Sequence, residues 1–289
     1  MSISLAGLLL LASPYPVAAS TKPTWTLQTT VNPSPGPYPQ NSLSSISCQG
    51  TVCLAVGSYQ DAGGAYLPML QTWNGTTWAL QSTPAVTGST ASSFSAVNCT
   101  WATACTLVGS WTDSAGNYWP LAERWNGISW TVQAPVLPTG AVSTDLYGIS
   151  CPRSATGFDC EAIGSYYLGS VSYMLVERWN GATWAVQSIP APGGSLTSSL
   201  SGISCFSPTA CFAVGSYQTA PTGYHPLPLI ERWNGTSWTA QAGETANSGY
   251  LSAVSCPTSA ACTAVGYIDS WSKGRPFGGP ISEQWNGSV

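Results

Sequence analysis

Side chains able to do chemistry are scarce in this sequence, and their spacing narrows what they could do. The 289 residues include one histidine, His225, and charged residues make up 6%, seven Lys or Arg against eleven Asp or Glu. A serine–histidine–acid relay would have to run through His225, yet no serine sits in a nucleophile-elbow sequence. Glycoside cleavage needs two carboxyl groups facing one another across the scissile bond. Asp145, just before Leu146, is the only acid beside the segments that could face a central channel. One carboxylate supplies an acid or a nucleophile, not both, so no catalytic residue is assigned. A net charge of −4 leaves no basic footprint for nucleic acid. No zinc, calcium, P-loop or dinucleotide pattern is present, so no metal or cofactor is expected.

Aromatic rings beside polar groups are the chemistry that remains. Trp119, Tyr173, His225 and Trp271 fall in segments that differ from one another, with Asp113, Asp269 and Arg275 nearby. Rings stack on the C–H faces of flat, hydroxyl-rich ligands while the polar groups bond the hydroxyls. These seven residues are the candidate ligand-binding set. The aromatics Tyr59, Trp111, Tyr166, Tyr217 and Tyr267 recur at one position, which reads as a strand cap rather than a site.

The elements that position them come from a repeat. Trp-Asn-Gly-x-x-Trp-x-x-Gln runs from Trp73 to Gln81, Trp125 to Gln133, Trp179 to Gln187 and Trp233 to Gln241, and a fifth copy starts at Trp285. Trp25-Thr26-Leu27-Gln28, at the other end, matches the second half of that motif. Ahead of each copy lie a segment ending in cysteine (LSSISC, FSAVNC, LYGISC, LSGISC, LSAVSC), an apolar run with a glycine such as CLAVGSY, and a third apolar segment such as LPLIERW. Each is short, β-branched or aromatic, and bounded by Gly, Pro, Asn or Ser, which is strand chemistry. Asn-Gly between the third and fourth segments predicts a type I′ hairpin. The unit is therefore an antiparallel four-stranded meander.

These residues predict an all-β, five-bladed β-propeller over 22–289, four strands per blade. The blades fall near 42–88, 92–140, 144–194, 198–246 and 249–289, with 22–28 as the strand that completes the last blade and closes the ring. The competing reading is a fragment of a longer array. At Trp73-Asn74-Gly75-Thr76-Thr77-Trp78 and its copies the sequence resembles kelch-like and Asp-box propellers, and most closely secreted bacterial repeat proteins with a cysteine pair and WNGxxW in each unit. It lacks the kelch double glycine, and its Asn, Gly and Trp sit too close together for an Asp box. The resemblance implies the fold and no catalytic residue.

Ten cysteines come as Cys48 and Cys53, Cys99 and Cys105, Cys151 and Cys160, Cys205 and Cys211, Cys256 and Cys262. One pair per repeat predicts five local disulfides and an extracellular setting. Residues 1–20 read as a signal peptide, with an apolar core at Ile3–Ala12 and small residues at Val17-Ala18-Ala19, though the n-region has no Lys or Arg. No later segment is apolar for long enough to span a bilayer. Glu-Arg before the tryptophan (Glu123-Arg124, Glu177-Arg178, Glu231-Arg232) reads as a tie between blades. Three functional classes follow. One is a monomeric secreted or cell-surface module that binds a glycan or an extracellular protein. Another is a carbohydrate-active hydrolase or lyase built round Asp145, and a purely structural or adhesive repeat is the third possibility.

Overall fold

The computed structural model describes residues 26–33, 40–154, 157–219, 226–241, 243, 248–272 and 275–287. The signal-peptide reading of 1–20 lies outside them, as does His225. Among the described residues no helix is long and apolar enough to cross a membrane.

Five antiparallel sheets follow one another along the chain. The first contains β1 (Asn41–Gln49), β2 (Val52–Gln60), β3 (Tyr66–Trp73) and β4 (Trp78–Leu80). The second contains β5 (Ala91–Trp101), β6 (Ala104–Thr112), β7 (Tyr118–Trp125) and β8 (Trp130–Gln133). In the third, β9 (Ser143–Ser150) leads through a small hairpin, β10 (Arg153–Ser154) and β11 (Gly157–Phe158), to β12 (Cys160–Leu168), β13 (Val171–Trp179) and β14 (Trp184–Val186). The fourth contains β15 (Thr197–Ser207), β16 (Ala210–Gln218), β17 (Leu227–Trp233) and β18 (Trp238–Gln241). The fifth has three strands, β19 (Ser248–Thr258), β20 (Ala261–Ser272) and β21 (Arg275–Trp285).

Each sheet packs its face on the next. Val56 with Phe94, Val108 with Leu146, Ile163 with Leu200 and Val214 with Leu251 form the cores between successive sheets. All eight are at most 1% exposed, so each contributes about 2 kcal/mol of burial. The side chain before each cysteine ties one inner strand to the next. Cys99 N donates to Ser47 Oγ at 3.0 Å, Cys151 N to Asn98 Oδ1 at 3.2 Å, Cys205 N to Ser150 Oγ at 3.0 Å and Cys256 N to Ser204 Oγ at 3.0 Å. Ser150→Ala leaves the Cys205 amide without its acceptor, and chemical denaturation should show a loss of about 1–2 kcal/mol. All five disulfides are formed, each between the first two strands of its sheet or just beyond their ends.

The glycine in each second strand has a steric reason. Every inner strand carries one extra residue at the same place (Ser44, Ser95, Tyr147, Ser201, Ser252), opposite Gly57, Gly109, Gly164, Gly215 or Gly266. A Cβ on any of these glycines would fall inside the carbonyl of the opposite strand, from Ser42, Ser93, Asp145, Ser199 or Tyr250. The bulge is what bends the inner strand.

Two expectations are corrected. The Asn-Gly hairpin is a four-residue loop, because Trp73 pairs with Trp78 and Trp125 with Trp130. The asparagine side chain shapes it: Asn74 Oδ1 accepts from Thr76 N and Thr77 N, both at 2.9 Å, and Gly75 takes φ of 100°. The closed five-bladed ring is also overturned. The fifth sheet stops at three strands, and Thr26–Gln28 lie outside any strand with Leu27 100% exposed. Instead the segment is held a few residues later, where Val31 meets Gln71 of the first sheet. The packing faces at either end of the series are correspondingly open. Leu43 is 41% exposed where Phe94 and Leu146 are buried, and Val265 is 45% exposed where Val108 and Val214 are buried. Sequence identity to the motif did not supply the burial that strand pairing needs.

Candidate functional site

In the second and third sheets the two middle strands bring aromatics together in pairs. Trp111 on β6 is opposite Trp119 on β7, with ring centroids 6.5 Å apart. Tyr166 on β12 stacks on Tyr173 on β13 at 5.5 Å. Trp119 and Tyr173 are both half-buried. The turns between these strands are tight. In the first sheet Asp61 Oδ1 accepts from Gly63 N and Ala65 N.

Asp113 does the same in the second sheet, accepting from Ala115 N at 2.8 Å and Asn117 N at 3.0 Å. Its other oxygen accepts from Asn117 Nδ2 at 3.1 Å and Trp119 Nε1 at 2.8 Å. The Trp119 indole, followed by these amides, holds the carboxyl down at about 2. Asp113 thus spends both oxygens on its own turn and orients the Trp119 ring. Asp269 is exposed on β20 and raises the pKa of the neighbouring Tyr267 phenol, whose ring lies 6.1 Å from Tyr250. Trp271 pairs with Pro276 and Arg275 with Ser272 at the end of the β20–β21 hairpin. Asp113 and Trp119 are therefore brought together, while Tyr173 stands in the third sheet and Asp269, Trp271 and Arg275 in the fifth.

Asp145 is the third residue of β9, opposite Ser165. Burial pushes its carboxyl up, and the Ser110 hydroxyl of the second sheet works against that. Tyr147, the bulge residue, meets Ser165 Oγ at 3.0 Å. Among the described residues no group of three His, Cys, Asp or Glu side chains could hold a metal ion.

A cleft of about 350 Å³ opens between the first and second sheets. Tyr59, Leu67 and Pro68 form one wall, the connector around Pro84 another, Ser92 comes from the first strand of the second sheet, and the buried Glu123 from its third. The volume is at the lower end of the range for small-molecule sites. Sequence reasoning passed over two of these residues. By sequence Tyr59 reads as a strand cap, and Glu123 as half of a tie between blades. The tie to the following sheet is made by the arginine. Arg124 lies over the Trp179 ring at 4.4 Å, Arg178 over Trp233 at 5.8 Å and Arg232 over Trp285 at 5.0 Å, each reaching the following sheet. The glutamate points the other way, as the alternation of a strand requires. Glu123 is 0% exposed, and neither oxygen has a formed hydrogen bond. Burial raises its pKa to about 7, and the Thr83 side chain stands close enough to oppose this slightly.

No family profile and no curated protein sequence matches this chain. Solved structures do. A protein of unknown function from Dyadobacter fermentans aligns with a TM-score of 0.54 at 13% identity, over 83% of this chain and 75% of that one. A polysaccharide lyase of family 25, an ulvan lyase, gives 0.53 at 12% over 86% of this chain, which spans 64% of the lyase. The Aleuria aurantia lectin, a six-bladed β-propeller that recognises fucose, gives 0.51 at 13%, over 84% and 74%. The lectin's six blades set a second observation against the five-bladed ring. At these identities the likeness is one of fold, and the fold is a β-propeller arrangement of antiparallel sheets.

Proposed function

We propose that this protein is an extracellular carbohydrate-recognition module and that the cleft between the first and second sheets is a place where it takes its ligand. The observation that carries the reading is the make-up of that cleft: a tyrosine and proline wall for the C–H faces of a sugar, and serine and carboxyl groups for its hydroxyls. The Trp111–Trp119 and Tyr166–Tyr173 pairs extend the same chemistry over the neighbouring turns. Five disulfides in one chain suit an oxidising compartment, in keeping with export through residues 1–20. The Aleuria lectin and the ulvan lyase, both of similar fold, act on carbohydrate. A glycan array followed by calorimetry tests the reading. At least one neutral glycan should bind the wild type, and Tyr59→Ala or Trp119→Ala should weaken it about tenfold or more, the scale of one lost ring contact. Absence of binding across the array, or binding untouched by both variants, removes the proposal.

A further inference from the structure

One position on the third strand carries an acid or amide in every sheet: Gln71, Glu123, Glu177, Glu231 and Glu283. Two of these are latched to an incoming chain segment. Gln71 Oε1 accepts from Val31 N at 3.1 Å and its Nε2 donates to Val31 O at 2.8 Å. Glu177 Oε2 accepts from Val136 N at 2.8 Å. Val31 and Val136 both come three residues after the glutamine of a Trp-x-x-Gln motif, Gln28 and Gln133. The same step from Gln81 and Gln187 reaches Pro84 and Pro190. Proline has no N–H to give. The carboxyls that receive those two connectors, Glu123 and Glu231, are the ones with both oxygens buried and no formed hydrogen bond, the Thr83 side chain standing near Glu123 without closing one. A buried orphan of this kind calls for an explanation. At Glu123 the explanation adjoins it, because Glu123 and Pro84 both line the 350 Å³ cleft.

We infer that Glu123 is the polar anchor of the cleft, accepting a hydrogen bond from a ligand hydroxyl in the place that the Val136 N–H takes on Glu177, and that Pro84 keeps that place vacant. The ligand class is a neutral polyhydroxylated molecule. An acidic sugar would set a second negative group against a buried carboxyl, which is unfavourable. Under the carbohydrate reading above, on which this inference rests, the ligand is an uncharged saccharide.

Two variants separate anchoring from folding. Glu123→Leu removes the buried orphan and Pro84→Ala returns an N–H to it, so both should raise the melting temperature while weakening binding of the array-selected neutral glycan about tenfold or more. A melting temperature that rises without loss of binding overturns the anchor, and leaves the carbohydrate reading standing if Tyr59→Ala or Trp119→Ala still weakens the complex. Should no glycan bind, the carbohydrate reading falls and crystals soaked with glycerol, erythritol and small neutral amides decide the anchor alone. A donor of one of these within hydrogen-bond distance of the Glu123 carboxyl upholds it. An empty cleft across the panel, or an occupant whose donors avoid Glu123, refutes it.

Discussion

Raising the pH from about 5 to about 9 should lower the melting temperature on the order of 10 °C, and the triple variant Glu123→Gln, Glu177→Gln, Glu231→Gln should lose most of that dependence. Burial lifts these three carboxyls to about 7, about 7 and about 8, against 4.5 for an exposed glutamate. The opposing influences are weak: the Thr83 side chain at Glu123 and the Val136 N–H at Glu177. No opposite charge offsets the burial of any of the three; Glu161 meets Arg178 at 3.1 Å, yet burial still raises it to about 8, so it supplies the slope that remains in the triple variant. A carboxyl whose pKa is higher folded than unfolded binds more protons in the folded chain. Its stabilisation is complete below about pH 4.5, declines through the folded pKa and is gone above about 8. At 1.36 kcal/mol per unit the three together come to at most roughly 12 kcal/mol, and relaxation of the buried groups reduces it to several kcal/mol. For a chain of this size that is a large part of total stability.

The first sheet already contains the control. Gln71 holds Val31 by accepting from its N–H and donating to its carbonyl, which a protonated glutamate can imitate and an ionised one cannot. Glutamine is thus tolerated at this position, and the triple variant should fold. Melting by circular dichroism across the pH range reads both curves. A wild-type curve that is level, or that rises with pH over this window, sinks the account. Asp113 has the opposite sign and a different window, since its depressed pKa withdraws stability only as pH falls from about 4 toward 2.

Gly109→Ala should abolish the folded state. The added methyl group would overlap the Ser93 carbonyl and crowd the Phe94 Cα, and both are backbone atoms held by the β5–β6 ladder. Relief requires the two strands to separate at a point where Phe94 and Val108 are 1% and 0% exposed. Opening that contact costs several kcal/mol in lost packing as well as ladder hydrogen bonds. Gly169→Asn is the informative comparison. Gly169 has φ of 62° with nothing within 4 Å of an added Cβ, and asparagine accepts that backbone at a cost near 1 kcal/mol or less. Yield of folded protein and the disulfide-intact melting curve measure both. A Gly109→Ala protein that melts within a few degrees of wild type would show that the bulge is softer than its geometry implies.

The meander itself was legible because its cues are local. Period-2 patterning, cysteine pairs and Trp-Asn-Gly-x-x-Trp act within one sheet; the first four sheets have the four strands they imply, and the fifth has three. What misled was a motif match over a distance. Trp25 to Gln28 has the residues of an outer strand, but pairing also requires an edge within reach and a face to cover, and Leu27 stands in solvent. The cleft was illegible for a related reason. Glu123 and Arg124 are adjacent in sequence and look like one charged tie, while the strand sends them to opposite faces with unrelated partners. Pro84 carried the only readable signal, a proline where Val31 and Val136 donate, and it has meaning only once the glutamate opposite is known.

The series of sheets has an energetic consequence of its own. The third sheet is gripped on both faces, with Leu146 and Ile163 fully buried, whereas the first and fifth are gripped on one, leaving Leu43 and Val265 partly in water. A chain of units coupled only to their neighbours behaves as a one-dimensional lattice, in which each end unit lacks one coupling energy. Opening is then graded along the sequence: the outermost sheets fray first and often, while the middle is released only when a neighbour has already gone.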